Sequence, residues 1–404
     1  MKKQILKIAY KMPPQENWNR FRDGNQSNPN FITEKHYKMV VDAGFTHGLG
    51  LLEHGEDVAL RALETAQKVG LKYYVRDAVN WANILHPDYY YYNKSAYEKY
   101  QKFSSYAGLN VYDEPNANKF SDLSKMVDGY GKFFKGVGEP LVNLLPTYAN
   151  CVEQLGADSY EEYINRFAKE VPTDYIMFDH YPIRVKNRVE EYLLNDYLYN
   201  CRVVANACKN YGKDYRAFVQ ASVMDRGNTD FPSQMLDFQV HVHLAHGAKA
   251  LVYYYYWGDE ELNGYNGLCD WNGNPTPLYY GVKKIHTQIE TYENELLHCK
   301  WNTVYCVKGD KIHHNKEEFD RLGVNENSLF KGEYDLLIGE FDCEKGKAYY
   351  LVNYVYPRLN LSNEVVFTLD KECAAYVNGE KLLLKKGKNR MKLNCGGGVF
   401  IIPN

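Results

Sequence analysis

The chain has 404 residues, 45% hydrophobic and 25% charged, with a formal net charge of −3. That length suits one large domain with a smaller companion, and the near-neutral balance excludes the basic footprint of a nucleic-acid or anionic-membrane partner. No apolar run approaches the roughly 18 residues that a membrane-crossing helix needs.

In chain order, short apolar or aromatic runs alternate with amphipathic stretches. The runs are Ile5–Tyr10, Thr46–Leu52, Lys72–Val75, Gly108–Tyr112, Leu141–Leu145, Tyr175–Phe178, Arg216–Ala221 and Ala250–Trp257. Helical patterns between them include Thr33–Ala43, Glu56–Val69, Ser121–Phe134, Tyr160–Val171, Val189–Tyr211 and Ser233–His246, with a last helix over Tyr279–Leu297. Eight strand–helix alternations predict an α/β fold, a closed (β/α)8 TIM barrel. Its strands are continuously apolar because a parallel sheet is buried on both faces. Past about residue 300 long helices give way to short alternating strands, such as Tyr334–Glu340, Ala348–Tyr354, Glu364–Leu369 and Gly398–Ile402. Turn signals such as Asn378-Gly379 separate them. The expected organisation is therefore a barrel over residues 1–299 and a small antiparallel β-sandwich over 300–404.

The N-terminus passes from Lys2-Lys3 directly into Ile5 without the apolar core of a secretory signal. Nine cysteines are scattered, no two closer than the seven positions between Cys201 and Cys208. Both observations point to a cytoplasmic protein with reduced thiols rather than a disulfide framework. Tyrosine occurs 38 times, and its amphipathic ring suits sugar faces as well as half-buried strand positions.

In such a barrel the chemistry sits at the C-terminal ends of the strands. Strand two ends near Glu53 and His54, strand three at Arg76 and Asp77, and strand four at Asp113-Glu114-Pro115. Strand five carries Asn143 and leads into Thr147 and Tyr148, and strand six ends at Asp179-His180-Tyr181-Pro182. Strand seven offers Gln220 and strand eight Trp257, followed by Asp259 and Glu260. Carboxylates, amides and aromatics converge there while phosphate-gripping cations are few, the lining of a neutral carbohydrate site. Successive strand side chains face opposite ways, so Asp113 and Glu114 diverge, and Pro115 keeps Glu114 out of the helical region. An acid held at such a corner suits proton transfer; the plainer reading is a loop start with Asn116 capping a helix from Ala117. His241, His243 and His246 share a helix at zinc-ligand spacing, but no Glu stands in a general-base position, and packing roles are the favoured reading. No metal or other cofactor is expected.

With those strand ends, the chain resembles the large retaining clan of (β/α)8-barrel glycoside hydrolases, in particular its β-galactosidase-like branch. The resemblance rests on Asp113-Glu114-Pro115, on Gly247-Ala248-Lys249-Ala250, and on Asp270-Trp271-Asn272-Gly273-Asn274-Pro275-Thr276-Pro277. It implies hydrolysis of a β-linked oligosaccharide or glycoside, with Glu114 as general acid/base. Two departures stand out. The clan usually has Asn where this chain has Asp113, and its strand-seven nucleophile is a Glu where this chain has Gln220.

Asp179 is therefore the preferred second carboxylate. A carboxylate separation near 5 Å would mean retention, and roughly 6.5–9.5 Å inversion. A substrate 2-acetamido group oriented by Asp113 is a further option. The alternative from another class is an inactive barrel that binds carbohydrate, with Gln220 marking the lost nucleophile. Glu53, Arg76, Asp77, Tyr148, His180, Tyr181 and Gln220 are the expected substrate contacts, and Trp257 the expected stacking platform.

Overall fold

The computed structural model describes residues 3–17, 28–50, 53, 55–76, 88–186, 190–222, 231–258, 267–311 and 316–404. Eight strands make the main sheet: β1 (Leu6–Tyr10), β2 (His47–Leu49), β3 (Lys72–Val75), β4 (Tyr106–Asp113), β5 (Glu139–Asn143), β6 (Tyr175–Phe178), β7 (Asp214–Gln220) and β8 (Ala248–Tyr254). Their order is β5-β4-β3-β2-β1-β8-β7-β6. A parallel bridge between Leu144 and Phe178 joins the two outermost strands, so the sheet closes almost completely into the expected barrel. A six-stranded and a three-stranded antiparallel sheet follow in the C-terminal region. Between them lies a shared core that includes Phe330, Ile338, Leu351, Phe367 and Leu393, as in a sandwich.

By compactness the chain divides into two units. One comprises Leu6–Asp179 and Val252–Tyr280, the other Met1–Ile5, His180–Leu251 and Gly281–Asn404. This division groups contacts, whereas the sequence boundary at 299/300 marks a change of pattern.

Local rules account for most elements of the first unit. Helix Glu56–Val69 buries Val58, Ala59, Ala62, Leu63 and Ala66 at helical spacing, carries Glu56 and Asp57 in its first turn, and ends on left-handed Gly70. Helix Tyr160–Glu170 is capped by Ser159, whose hydroxyl accepts from the Glu162 N–H, and it buries Tyr163, Ile164 and Phe167. The short helices Tyr89–Tyr92 and Lys94–Tyr100 were not foreseen. Their four-tyrosine run lacks a clear period of either kind.

The second unit brings three corrections. The helix expected from Val189 starts at Tyr197, because Glu190–Leu193 pairs as a hairpin with Ile183–Lys186. The last barrel helix breaks into Pro277–Glu290 and Glu293–Leu296 through turns at Thr291 and Tyr292. Cys299 and Cys343 form a disulfide across 44 residues, contrary to the expectation of reduced thiols throughout. No motif spacing announces that pair, since the fold alone brings its members together. The other seven cysteines are not disulfide-bonded.

No helix among the described residues is long and apolar enough to cross a membrane.

Candidate active site

A hydrogen-bonded chain links the ends of six consecutive strands of the first unit. Glu53, past β2, is buried; it accepts from the Tyr73 hydroxyl at 2.5 Å and from the Arg76 N–H at 3.0 Å. Arg76, past β3, spreads its guanidinium between the Tyr10 hydroxyl of β1 at 2.9 Å and Asp113 Oδ2 of β4 at 3.3 Å. Asn143, ending β5, then donates with one amide nitrogen to Asp113 Oδ1 at 3.3 Å and to Asp179 Oδ1, past β6, at 2.9 Å. Tyr254 of β8 stacks on Tyr10 at 5.5 Å between ring centroids.

The register of β4 sets this geometry. Asn110 pairs with Leu141 but Tyr112 pairs with Val142, so Val111 is an extra residue. Such a bulge re-aims the side chains beyond it. Asp113 then lies opposite Asn143, and the Glu114 N–H donates to the Asn143 carbonyl at 2.9 Å. Glu114 itself takes φ = 52°. It is thus out of the right-handed helical region, in a left-handed one that costs a non-glycine residue of order 1–3 kcal/mol. Tyr163 holds the turn from behind, its hydroxyl donating to the Pro115 carbonyl at 2.7 Å. Asn116 caps the short helix from Ala117, as the plainer reading had it, and also donates to the carbonyls of Glu153 and Gln154.

Two carboxyl groups thus share one amide, and a third, that of Glu114, lies within electrostatic reach of both. The protein packed around Glu114, and then the charge of Asp113, push its carboxyl up to about 7 against the pull of Arg76. Solvent still reaches the Glu114 side chain, so hydration opposes part of that rise. Asp179 is 5% exposed. Burial, then the charges of Glu114 and Asp113, hold it well above the usual carboxylate range, while Asn143 pulls it back. Like charges this close resist ionising together, so protons come off the site in steps that belong to the cluster. No hydrogen bond reaches the Glu114 carboxylate among the described residues, which leaves its proton available.

The other expected residues lie elsewhere or are covered. Asp77 falls outside the described residues, as do His54, Asp259 and Glu260. Tyr148 is 42% exposed. Trp257 is fully buried against Phe31 and His36, with centroids at 4.6 and 5.7 Å, and Gly273 lies over its ring edge. The stacking expected of Trp257 needs a ring face that this packing covers. In the second unit, His180 is buried with Nε2 3.2 Å from Asp196 Oδ1, and Tyr181 is buried too. Gln220 is buried with its amide engaged by protein: Oε1 accepts from the Ile183 N–H, and Nε2 donates to the carbonyls of Ile183 and Ser222.

The three histidines face separate partners. His241 meets the Tyr350 hydroxyl, His243 the hydroxyls of Tyr197 and Tyr215, and His246 the Val242 carbonyl. Burial drives all three rings down, His241 and His246 to about 4 and His243 to about 3. No group of metal-ligating side chains converges among the described residues.

Sequence reasoning did not assign a role to Tyr10, Asn143 or Tyr163. The one available signal was a polar Asn inside the apolar run Leu141–Leu145.

No protein-family model and no curated protein matches this chain. Solved structures do resemble it. The exo-β-1,4-mannosidase of Opitutaceae bacterium strain TAV5 superposes with a TM-score of 0.51 at 10% identity, over 73% of this chain and 60% of that one. The β-galactosidase of the psychrophilic Marinomonas ef1 gives 0.50 at 8% identity, over 73% and 62%. The likeness is one of fold. This chain spans less than two thirds of the length of either enzyme.

Proposed function

We propose that the protein is a glycoside hydrolase acting on a β-linked oligosaccharide or glycoside. The observation that carries this reading is the pair Asp113 and Asp179 joined by Asn143 at the strand ends, with Glu114 within electrostatic reach of both. It joins an acid with raised proton affinity to a second, buried carboxylate, the pairing that glycosidic hydrolysis needs.

In the proposed step Glu114, protonated, gives its proton to the leaving glycosidic oxygen as the bond from that oxygen to the anomeric carbon breaks. Asp179, ionised, either forms a bond to that carbon or takes a proton from the water that does. In both cases water supplies hydroxyl to the sugar, and its proton returns to the carboxyl pair. Arg76 and Asp113 hold sugar hydroxyls. Asn143 Oδ1, a buried acceptor without a donor among the described residues, receives another. Tyr148 is the exposed aromatic at the end of β5 on which a sugar would stack.

The test is product release from a panel of β-linked oligosaccharides, N-acetylated ones included, by wild type, Glu114→Gln and Asp179→Asn. Turnover should fall at least 10²-fold in each variant, the usual worth of a positioned acid or base, with thermal melting retained. Full activity in Glu114→Gln would sink the assignment. A second reading, a carbohydrate-binding barrel without turnover, draws on Gln220, whose protein-engaged amide stands where the resembled clan carries its nucleophile. It predicts calorimetric binding of the same sugars with no product.

A further inference from the structure

Asn143 is 6% exposed and spends both hydrogens of one nitrogen on carboxylates from neighbouring strands, Asp113 and Asp179. Asp113 has a second donor in Arg76. Asp179 has no other side-chain donor among the described residues. Glu114 has none among them. A hydrogen bond to the charged form favours ionisation, so the amide acts on two of the three acids and passes over the third. Facing Asp179 are the charges of Glu114 and Asp113, and the Tyr163 ring lies within electrostatic reach of both Glu114 and Asp179. Arg76 acts on the cluster through Asp113 and Glu114.

We propose that Asn143 is the positioning residue that lets the buried Asp179 carboxyl release its proton. Its amide N–H, 2.9 Å from Asp179 Oδ1, favours the charged form of a carboxyl that burial and its acidic neighbours oppose. The amide thus serves as the counterweight to the burial of Asp179. This inference rests on the proposed function for its purpose, but its physical content is independent of any substrate.

The test is a carboxyl titration by ¹³C NMR on the full chain, with labelled aspartate and glutamate side chains assigned by Asp179→Asn, Asp113→Asn and Glu114→Gln. In Asn143→Ala the Asp179 midpoint should rise by about one pH unit, the order of shift that follows loss of a hydrogen-bond donor. Asn143→Asp keeps the shape, removes the donor and adds a charge, so Asp179 should rise further still; this variant decides the matter if Asn143→Ala does not fold.

An unchanged Asp179 midpoint in a folded variant would overturn the proposal, since a purely structural role would alter melting but not that titration. Failure to cleave any sugar would count against the hydrolase reading alone, and the titration would still judge Asn143.

Discussion

Glu114 stands between opposing neighbours, and its behaviour with pH follows from their signs. Burial and then Asp113 raise its proton affinity, and Arg76 lowers it. A general acid must be protonated, so the kcat/KM for a cleaved β-linked sugar should decline as pH rises past about 7. Asp113→Asn removes a like charge and should move that decline to lower pH. Arg76→Met removes an opposite charge and should move it higher. Measured pH–rate profiles of the three proteins check this, and shifts of the same sign in both variants would exclude Glu114 as the titrating acid. The three acids themselves were legible as strand-end residues, because an acidic pair before a proline and an Asp after a short buried run are local patterns. The role of Asn143 was not. It depends on the extra residue Val111, and a one-residue slip in register reverses which side chains share a face. Trp257 misled for a similar reason: its cover comes from Phe31, His36 and Gly273, which lie far away in sequence.

Among the elements, helix Tyr197–Tyr211 shows how the second unit is held. Its N-cap residue, Asp196, makes no capping bond. The missing acceptor comes from elsewhere: Glu318, on helix Lys316–Leu322, takes the Leu198 N–H at 2.9 Å and the Tyr354 hydroxyl at 2.7 Å. A carboxylate at a helix N-terminus satisfies orphan donors and complements the dipole. Burial nevertheless dominates and pushes the Glu318 carboxyl up to about 7 from an ordinary 4.5, while those two bonds restrain it. Between these values the folded chain binds more proton than the unfolded one. This contribution to stability is therefore present in full below about 4.5 and is lost as pH rises through about 7. Its size is of order 3 kcal/mol at most. Melting temperature should fall across that window, and Glu318→Gln, which cannot ionise, should flatten the fall. An equally steep profile in that variant would assign the dependence to other groups. The long amphipathic helices and buried strands were readable because their periodicity is local. The helix boundary at Tyr197 was not, since a hairpin partner and a remote cap decide it.

For the whole molecule, the question is whether the boundary at 299/300 separates two independent folding bodies. We propose that boundary for the change of architecture only. Helix Gln234–Ala245, on the barrel side of it, is buried all round, from Met235 and Leu236 to Leu244 and Ala245. A helix apolar on every side must be enclosed on every side, and chain beyond residue 300 supplies part of that enclosure. His241 Nδ1 lies 2.8 Å from the Tyr350 hydroxyl, and the Ala245 carbonyl accepts from the Trp301 indole at 3.0 Å. Gly339 and Gly398 approach so closely that an added Cβ would stand 2.2 Å from the Ala245 carbonyl oxygen and 2.7 Å from the His241 ring. The Cys299–Cys343 disulfide crosses the same boundary. A chain cut after residue 299 would expose that helix and leave His241 and the Ala245 carbonyl without these partners. Fragment 1–299 should accordingly lack a cooperative melt and collect in aggregates, while the full chain unfolds in a transition that includes both parts. Differential scanning calorimetry of the fragment and the full chain decides it: a fragment melting cooperatively near the full-length temperature would make the β-region an appendage, and loss of the transition would make it a structural half of the barrel.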